Sequence, residues 1–564
     1  MLTKWTRFNH YLYPHWKRLA LTIFLGLVSM FLALINPYLI KLMIDKAYPQ
    51  HNLKLFLLFA LTGGIIFALI TIINSYSGYL NQRVNSLVKF RLTNDIFRCL
   101  QQKDLAFFRD KSAAEHLYKV NSDVGMVSNF ICVYMPQLII LVPRSFFILA
   151  IVFFLNWKIA LLSVLIVPLC CINPYFFKRW LRDAQKRLVD KAQKAFFSLH
   201  EAFSHILLTK VFHKEKQCAE KLEKEIEKVM YFECRNSRLL AISGLSNSLL
   251  NKTCSGIIVI YCGYQVISGN MTLGDVSAVM IYLMQFFALA IALARFSDSL
   301  AINSVSQNRL DEIFQAQPLI KDYPGAKDYS ILRPSIEFKD LTFGYAEKKV
   351  ILRGIGFYIE PCQKIALTGP SGCGKTTLLN LLLRLYEPWR GEIFIDGHEL
   401  KDFRIGSLRE QTGIALQEPF LWDSTVKDNI LYGNENATID ELIEASKIAQ
   451  AHDFILGLPQ QYDTQIGEMA CKISEGQKQR IAIARAVIKK PKILILDEAM
   501  ASIDSETEGK IVENLKNNLK NSTIIVISHN SATLRKMDSV YFFKNPSEII
   551  PCHDEKLQEK YIIN

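Results

Sequence analysis

Two domains of different class are predicted by the sequence: an α-helical domain with six transmembrane spans, then an α/β domain. Three observations predict them. Six apolar runs of about the length that crosses a bilayer lie before residue 305. From about residue 331 onward, strand-like and helix-like runs of ordinary polarity alternate. Between one such strand and helix stands GPSGCGKT, Gly369 to Thr376, which matches the phosphate-loop pattern G-x-x-x-x-G-K-[ST] and makes the second domain a P-loop NTPase. A chain of 564 residues has room for two or three domains.

The six candidate spans are 19–43, 56–80, 136–156, 159–177, 242–267 and 273–295. Each reaches or approaches the roughly 20 residues a helix needs to cross a hydrocarbon core. The loops between them alternate in character. Loops 81–135 and 178–241 are long and rich in Lys and Arg. Residues 44–55, 156–158 and 268–275 make short connections, the last with no basic residue. Basic loops stay in the cytoplasm, so both termini and both long loops are expected inside. Apolar residues at helical spacing in 181–203 and 215–232 extend the spans as helices well past the membrane, with the pattern breaking near 105–117 and 200–215. The net charge of +13 is then mostly a topology signal, and no nucleic-acid partner is expected. Twelve scattered cysteines without a CxxC pair argue against a zinc site or a disulfide framework. The first apolar run is too long for a signal-peptide core and lacks a cleavage site, so no cleavable leader is expected.

The segment 315–334 holds prolines, a glycine and charges, and reads as a linker between a domain at 1–314 and one at 335–564. In the second domain 335–345 is strand-like, and 364–383 reads strand, Gly-rich loop, helix. Glycines let backbone N–H groups wrap phosphate oxygens, and the helix N-terminus adds a favourable dipole. Lys375 is placed to neutralise β/γ-phosphate charge, and Thr376 to offer a hydroxyl to Mg2+. Further on, 493-ILILDE-498 is a buried parallel strand running into two carboxylates. Asp497 is the candidate Mg2+ ligand and Glu498 the candidate base for an attacking water. The strand 523–530 brings His529 to the same edge, as a candidate γ-phosphate contact.

In order and spacing these motifs resemble the ATP-binding cassette (ABC) transporters, specifically exporter-type half-transporters, over almost the whole chain. The resemblance implies an ABC ATPase domain using ATP and Mg2+, with ATP hydrolysis coupled to transport. It implies that Gly369, Pro370, Ser371, Gly372, Cys373, Gly374, Lys375, Thr376 and Thr377 surround the phosphates, and that Tyr345 stacks on adenine. Gln417 is similar to the glutamine that senses Mg2+ and the attacking water, and Glu468 to an acidic residue that touches cytoplasmic helices. Ser474, Gly476 and Gln477 match the family signature, and Asp504 the loop that crosses the dimer interface. Two cassettes are then expected head to tail, in a homodimer or a heterodimer with a second half-transporter. The expected activity is export of a hydrophobic or amphipathic drug, lipid or peptide by alternating access. The expected setting is a bacterial inner membrane, with the loop tips at 107–116 and 200–210 as coupling helices. An importer on the same fold, or one subunit of an asymmetric exporter, is the alternative.

Two departures stand out. In 472-KISEGQKQR-480 the signature Leu-Ser-Gly-Gly-Gln has Ile473 and Glu475 at altered positions. A carboxylate about 5 Å from a γ-phosphate charge would cost about 3 kcal/mol at an effective dielectric near 20. Ser474 to Gln477, however, forms an S-x-x-Q capping box that puts Glu475 at the first helical position, where it favours the dipole and can face away from ATP. The tail after Val540 lacks the family's Asp-Gly turn. Within the spans, Arg144 near mid-membrane and Lys252 in the fifth are candidates to line a basic cavity for an anionic amphiphile; snorkelling or pairing with another helix is the competing expectation.

Overall fold

The computed structural model describes residues 8–110, 119–345, 349–467 and 473–552; the side chains of 166–175 and several between 289 and 302 also lie outside that description. The chain forms two compact units, one of 1–103 with 107–317, the other of 104–106 with 318–564.

The long helices of the first unit are α1 (Trp16–Leu42), α2 (Leu53–Gln101), α3 (Met135–Leu155), α4 (Trp157–Ser204), α5 (Glu215–Ile267) and α6 (Leu273–Gln315). Each of the six candidate spans falls on one of them. The short connections end in helix caps. The Asn52 side chain accepts from Leu55 N to start α2, Asn156 accepts from Lys158 N and Ile159 N to start α4, and Thr272 with Asp275 closes a capping box on α6. Among the described residues three stretches are long and apolar enough to cross a membrane: His10–Ala47, Leu53–Gln101 and Lys119–Leu155. The other three candidate spans contain side chains outside the description, and within the sixth the apolar stretch Leu273–Ala288 is shorter. None of the most apolar window of α2 is buried by the protein, and Leu61, Ile65, Phe67 and Ile72 are exposed along it. Such a surface suits hydrocarbon, not water. Helices α2, α4 and α5 run on beyond their spans, and short helices Leu105–Asp110 and Ile206–Val211 stand at the two loop tips. The predicted tip residues 111–116 lie outside the described residues.

Ile148 and Val152 of α3, Ile159 of α4, Ile258 of α5 and Tyr282 and Phe286 of α6 share one core. Polar side chains cross-link the helices. Ser29 Oγ donates to Asn74 Oδ1 (2.8 Å), Tyr282 Oη to Leu34 O (2.6 Å), and Lys41 pairs with Asp275 (2.6 Å). Between apolar surfaces in lipid, such bonds and close packing hold helices together.

Among its described residues the second unit has twelve strands: β1 (Ile336–Phe343), β2 (Leu352–Ile359), β3 (Lys364–Thr368), β4 (Arg390–Ile395), β5 (His398–Glu399), β6 (Thr412–Ala415), β7 (Ser424–Thr425), β8 (Gln465–Ile466), β9 (Ile493–Asp497), β10 (Thr523–Ile527), β11 (Ser539–Asn545) and β12 (Glu548–Cys552). An antiparallel sheet has the order β2-β1-β4-β5, and a six-stranded sheet the order β12-β11-β3-β10-β9-β6. In the larger sheet β3, β6, β9, β10 and β11 are mutually parallel, with β12 antiparallel at the edge. β3, β9 and β10 are buried along their whole length, the pattern of strands covered on both faces. Helices α7 (Lys375–Leu382), α8 (Glu475–Val487) and α9 (Ser505–Asn518) belong to this unit. The sequence after Val540 forms the β11–β12 hairpin without an Asp-Gly turn; Asn545 Oδ1 accepts from Ser547 N (2.8 Å) and closes the bend around Pro546.

Candidate nucleotide site

Four strands of the larger sheet end at one edge, and a candidate site residue follows each. Gly369 follows β3, Gln417 lies just beyond β6, Asp497 and Glu498 close β9, and His529 follows β10. The carboxyl ends of parallel strands are where open α/β sheets bind ligands.

The loop after β3 requires its glycines. Gly369, Gly372 and Gly374 have φ of 136°, 80° and 101°. A Cβ on Gly369 would lie 2.4 Å from Phe543 O, and one on Gly374 would lie 2.6 Å from Leu352 Cδ2. Lys375 opens α7 and is buried; its ammonium donates to Gly369 O (2.6 Å) and Pro370 O (3.0 Å). Pro370, Ser371 and Thr376 are exposed, while Cys373 and Thr377 are buried. Cys373 Sγ lies 3.8 Å from the Lys375 ammonium.

Thr376 Oγ1 donates to Asp497 Oδ1 (3.3 Å). Burial holds the Asp497 carboxyl above the usual carboxylate range, opposed by the Thr376 hydroxyl and reinforced by the neighbouring Glu498. Glu498 has φ of 49°, a left-handed conformation that a residue with a Cβ adopts at a cost of roughly 1–2 kcal/mol. Its N–H donates to Ile527 O (3.1 Å). Its carboxylate accepts from Gln417 Nε2 (2.8 Å), and His529 Nε2 stands 3.8 Å from the other oxygen. A half-buried carboxylate between an amide and an imidazole can take a proton from a water placed against it. The Thr376 hydroxyl and Asp497 carboxylate form an oxygen donor set that fits Mg2+, which keeps waters and substrate phosphates as further ligands. Among the described residues no cluster of three or more His, Cys, Asp or Glu could hold a metal alone.

Tyr345 is anchored beside the loop. Its hydroxyl lies 3.2 Å from Thr377 Oγ1 and accepts from Asn380 Nδ2 (3.3 Å), and its ring stands edge-on to Phe343 and Tyr386. The Asn380 contact was not legible in the sequence, where Asn380 is one polar residue in an apolar helix.

The signature segment forms the expected capping box. Ser474 Oγ accepts from Gln477 N (3.2 Å), and Gln477 Oε1 accepts from Ser474 N (2.9 Å). Glu475, at the first position of α8, pairs with Lys478 (3.1 Å) on an exposed face. A Cβ on Gly476 would lie 2.7 Å from Ser502 O. The buried Gln479 accepts from Ser502 N (2.9 Å). Gln479 therefore ties the signature helix to the turn that leads to Asp504, a role no local motif announced. Asp504 caps α9, accepting from Thr507 N (2.9 Å), and that backbone N–H holds its carboxyl below the usual range. Among the described residues no hydrogen bond joins 474–477 to 369–377. Glu468 lies outside the described residues.

Comparisons with known proteins cover nearly the whole chain. Residues 352–501 match the family described as ABC transporter, and residues 19–289 the family described as ABC transporter transmembrane region. A Bacillus subtilis protein named as an ATP-binding/permease protein of multidrug export is 29% identical over 97% of this chain and 96% of its own length. An ATP-dependent lipid A-core flippase of Syntrophus aciditrophicus is 30% identical over 93% of this chain and 88% of its own. A Staphylococcus aureus protein, again named for multidrug export, is 31% identical over 96% of this chain and 95% of its own. The solved structure of a bacterial Atm1-family ABC exporter with ATP bound has the same fold, with a TM-score of 0.89 and 24% identity over 98% of this chain and 97% of that one.

Proposed function

The chain belongs to the ABC transporter family and couples ATP hydrolysis to export, and from that premise we propose how its own residues do so and in what assembly. It works as half of a dimer, each ATP lying between the phosphate loop of one copy and the signature of the other. Ser474 and Gly476 serve the partner's nucleotide. Two observations favour this arrangement: among the described residues Ser474 and Gln477 hydrogen-bond to each other and not to this chain's phosphate loop, and the tip helix Ile206–Val211 leaves Ile206, Leu207, Leu208 and Val211 exposed.

The observation that carries the catalytic reading is the Gln417–Glu498–His529 cluster next to the Thr376–Asp497 pair. Thr376, Asp497 and Gln417 would hold Mg2+, and the ion would screen phosphate charge. Lys375 and the loop N–H groups hold the phosphates. Glu498 accepts the proton of the attacking water, Gln417 orients that carboxylate and the water, and His529 contacts the γ-phosphate. Closure of the dimer passes through the loop tips to α1–α6 and turns an inward-open cavity outward. The cargo is a hydrophobic or amphipathic molecule, the class to which the relatives' names point. The basic loops support a topology with both termini and the nucleotide-binding unit in the cytoplasm and the spans in a bacterial inner membrane. The residue ranges 1–314, 315–334 and 335–564 serve as membrane domain, linker and cassette.

The Glu475–Lys478 pair favours a competent signature and hence a homodimer. Purified chain in liposomes should hydrolyse ATP and drive vanadate-sensitive uptake into inside-out vesicles. ATPase activity that appears only with a second half-transporter would overturn the homodimer, and uptake only into right-side-out vesicles would overturn export.

A further inference from the structure

We propose that the cargo is an anionic amphiphile, its charge received by Arg144 one helical turn from the lining of a cavity between α3 and α6; this rests on the export reading above. Arg144 lies within the third span, and its Nη2 donates to Gln285 Oε1 of α6 (3.0 Å). That partner is neutral. The Arg144 Nε is buried and makes no hydrogen bond among the described residues. A cation at that depth is expensive unless something compensates it.

The chain offers no acid to compensate it. From residue 124 to 182 no Asp or Glu occurs, nor from 46 to 94, nor from 1 to 44. The fifth and sixth spans contain one, Asp275, at the start of α6. Asp275 is already taken by Lys41 (2.6 Å). A second copy of the same chain would bring the same spans, with the same Asp275 paired to Lys41, and no further acid. The counter-charge for Arg144 must come from outside the spans, and a molecule bound beside it can bring it.

There is a place for that molecule. A cavity of about 360 Å³ is lined by Tyr134, Gln137, Leu138 and Leu141 from α3 and the turn before it, and by Ala288, Ala292 and Phe296 of α6. Residues 137, 141 and 144 recur at helical spacing on one face, as do 285, 288, 292 and 296 on the other helix. The Arg144–Gln285 pair is therefore one turn along both helices from the lining of the cavity. The two alanines open the space, Phe296 and the leucines offer an apolar body site, and Arg144 offers a charge-assisted donor for the head.

The test reads binding without ATP, in phosphatidylcholine nanodiscs by calorimetry with empty discs subtracted. The probes are naphthalene-2-sulfonate and its near-isosteric neutral sulfonamide. The sulfonate should bind at least about tenfold more tightly, the scale of one charge-assisted hydrogen bond. Arg144→Gln should erase that preference, and Arg144→Lys should restore most of it, which a merely structural arginine would not do. Equal affinities in the native chain, or a preference that survives Arg144→Gln, overturns the proposal. ATP-driven uptake is read separately in vesicles; its failure counts against export, while the sulfonate preference stands or falls on Arg144.

Discussion

The nucleotide edge and the membrane core treat their charges in opposite ways. At the nucleotide edge each charged group has a partner within the chain: Lys375 has two loop carbonyls, Asp497 has Thr376, and Glu498 has Gln417 with His529 nearby. In the membrane core Arg144 meets, among the described residues, only a neutral amide, and the one acid of the spans around it, Asp275, is paired with Lys41. The first region is preorganised for a ligand of fixed structure. The second is left incomplete for a ligand that supplies what is missing. A catalytic site gains from donors and acceptors held ready before the reaction. A cargo site that must also release its ligand gains from balancing charge only while the ligand is bound.

The comparison breaks most decisively at Glu498. Glu498→Gln should leave ATP binding intact and lower phosphate release about 10²–10⁴-fold, the range for loss of a general base. Activity within threefold of native in a phosphate-release assay would mean that the carboxylate is a structural partner of Gln417 and not the base. Gly476→Ala comes next. Its methyl would fall 2.7 Å from Ser502 O, so backbone must move, at a cost of about 1–3 kcal/mol. Hydrolysis should drop roughly tenfold or more while nucleotide binding to the phosphate loop, followed by fluorescence, barely changes.

Asp497→Asn separates stability from function. Burial raises the Asp497 pKa, so its ionised form opposes folding at neutral pH and its protonated form favours it below the ordinary carboxylate range. The asparagine variant should therefore melt higher near pH 7 without nucleotide, by about 2–4 °C for each kcal/mol gained. It should lose stabilisation by Mg-ATP. A lower Tm at pH 7 would show the carboxylate to be stabilised where it sits. The smallest effect is expected at Glu475. Its pair with Lys478 is exposed and worth about 0–1 kcal/mol, so Glu475→Gly should change ATPase activity less than about threefold. A large gain would mean that the carboxylate does face the partner's phosphate. Cys373 sharpens the same edge. Its thiol is buried beside Lys375, so alkylation should be slow, should block hydrolysis, and should be prevented by ATP; Cys373→Ser should be insensitive.

Much of the nucleotide site was legible because its chemistry is contiguous. Gly369 to Thr376 carries loop and helix start in one run, and 493–498 carries a strand and its two carboxylates. The Ser474–Gln477 box was legible because capping reaches only three residues along the chain. The left-handed turn at Glu498, the grip of Gln479 on Ser502 and the hydroxyl contacts of Tyr345 were not. They depend on strands and helices meeting after folding.

By itself the sequence determined the two domain classes, the six apolar runs and the order of motifs along the ligand edge, because length, periodicity and short-range spacing settle those. It also determined that the spans hold cations and almost no acid, since composition needs no fold. Only the tertiary structure decided that Arg144 meets Gln285, 141 residues away, one helical turn from the lining of a cavity. Which faces of α3 and α6 meet depends on side-chain packing across both helices, and a residue's own neighbours in the chain do not encode it.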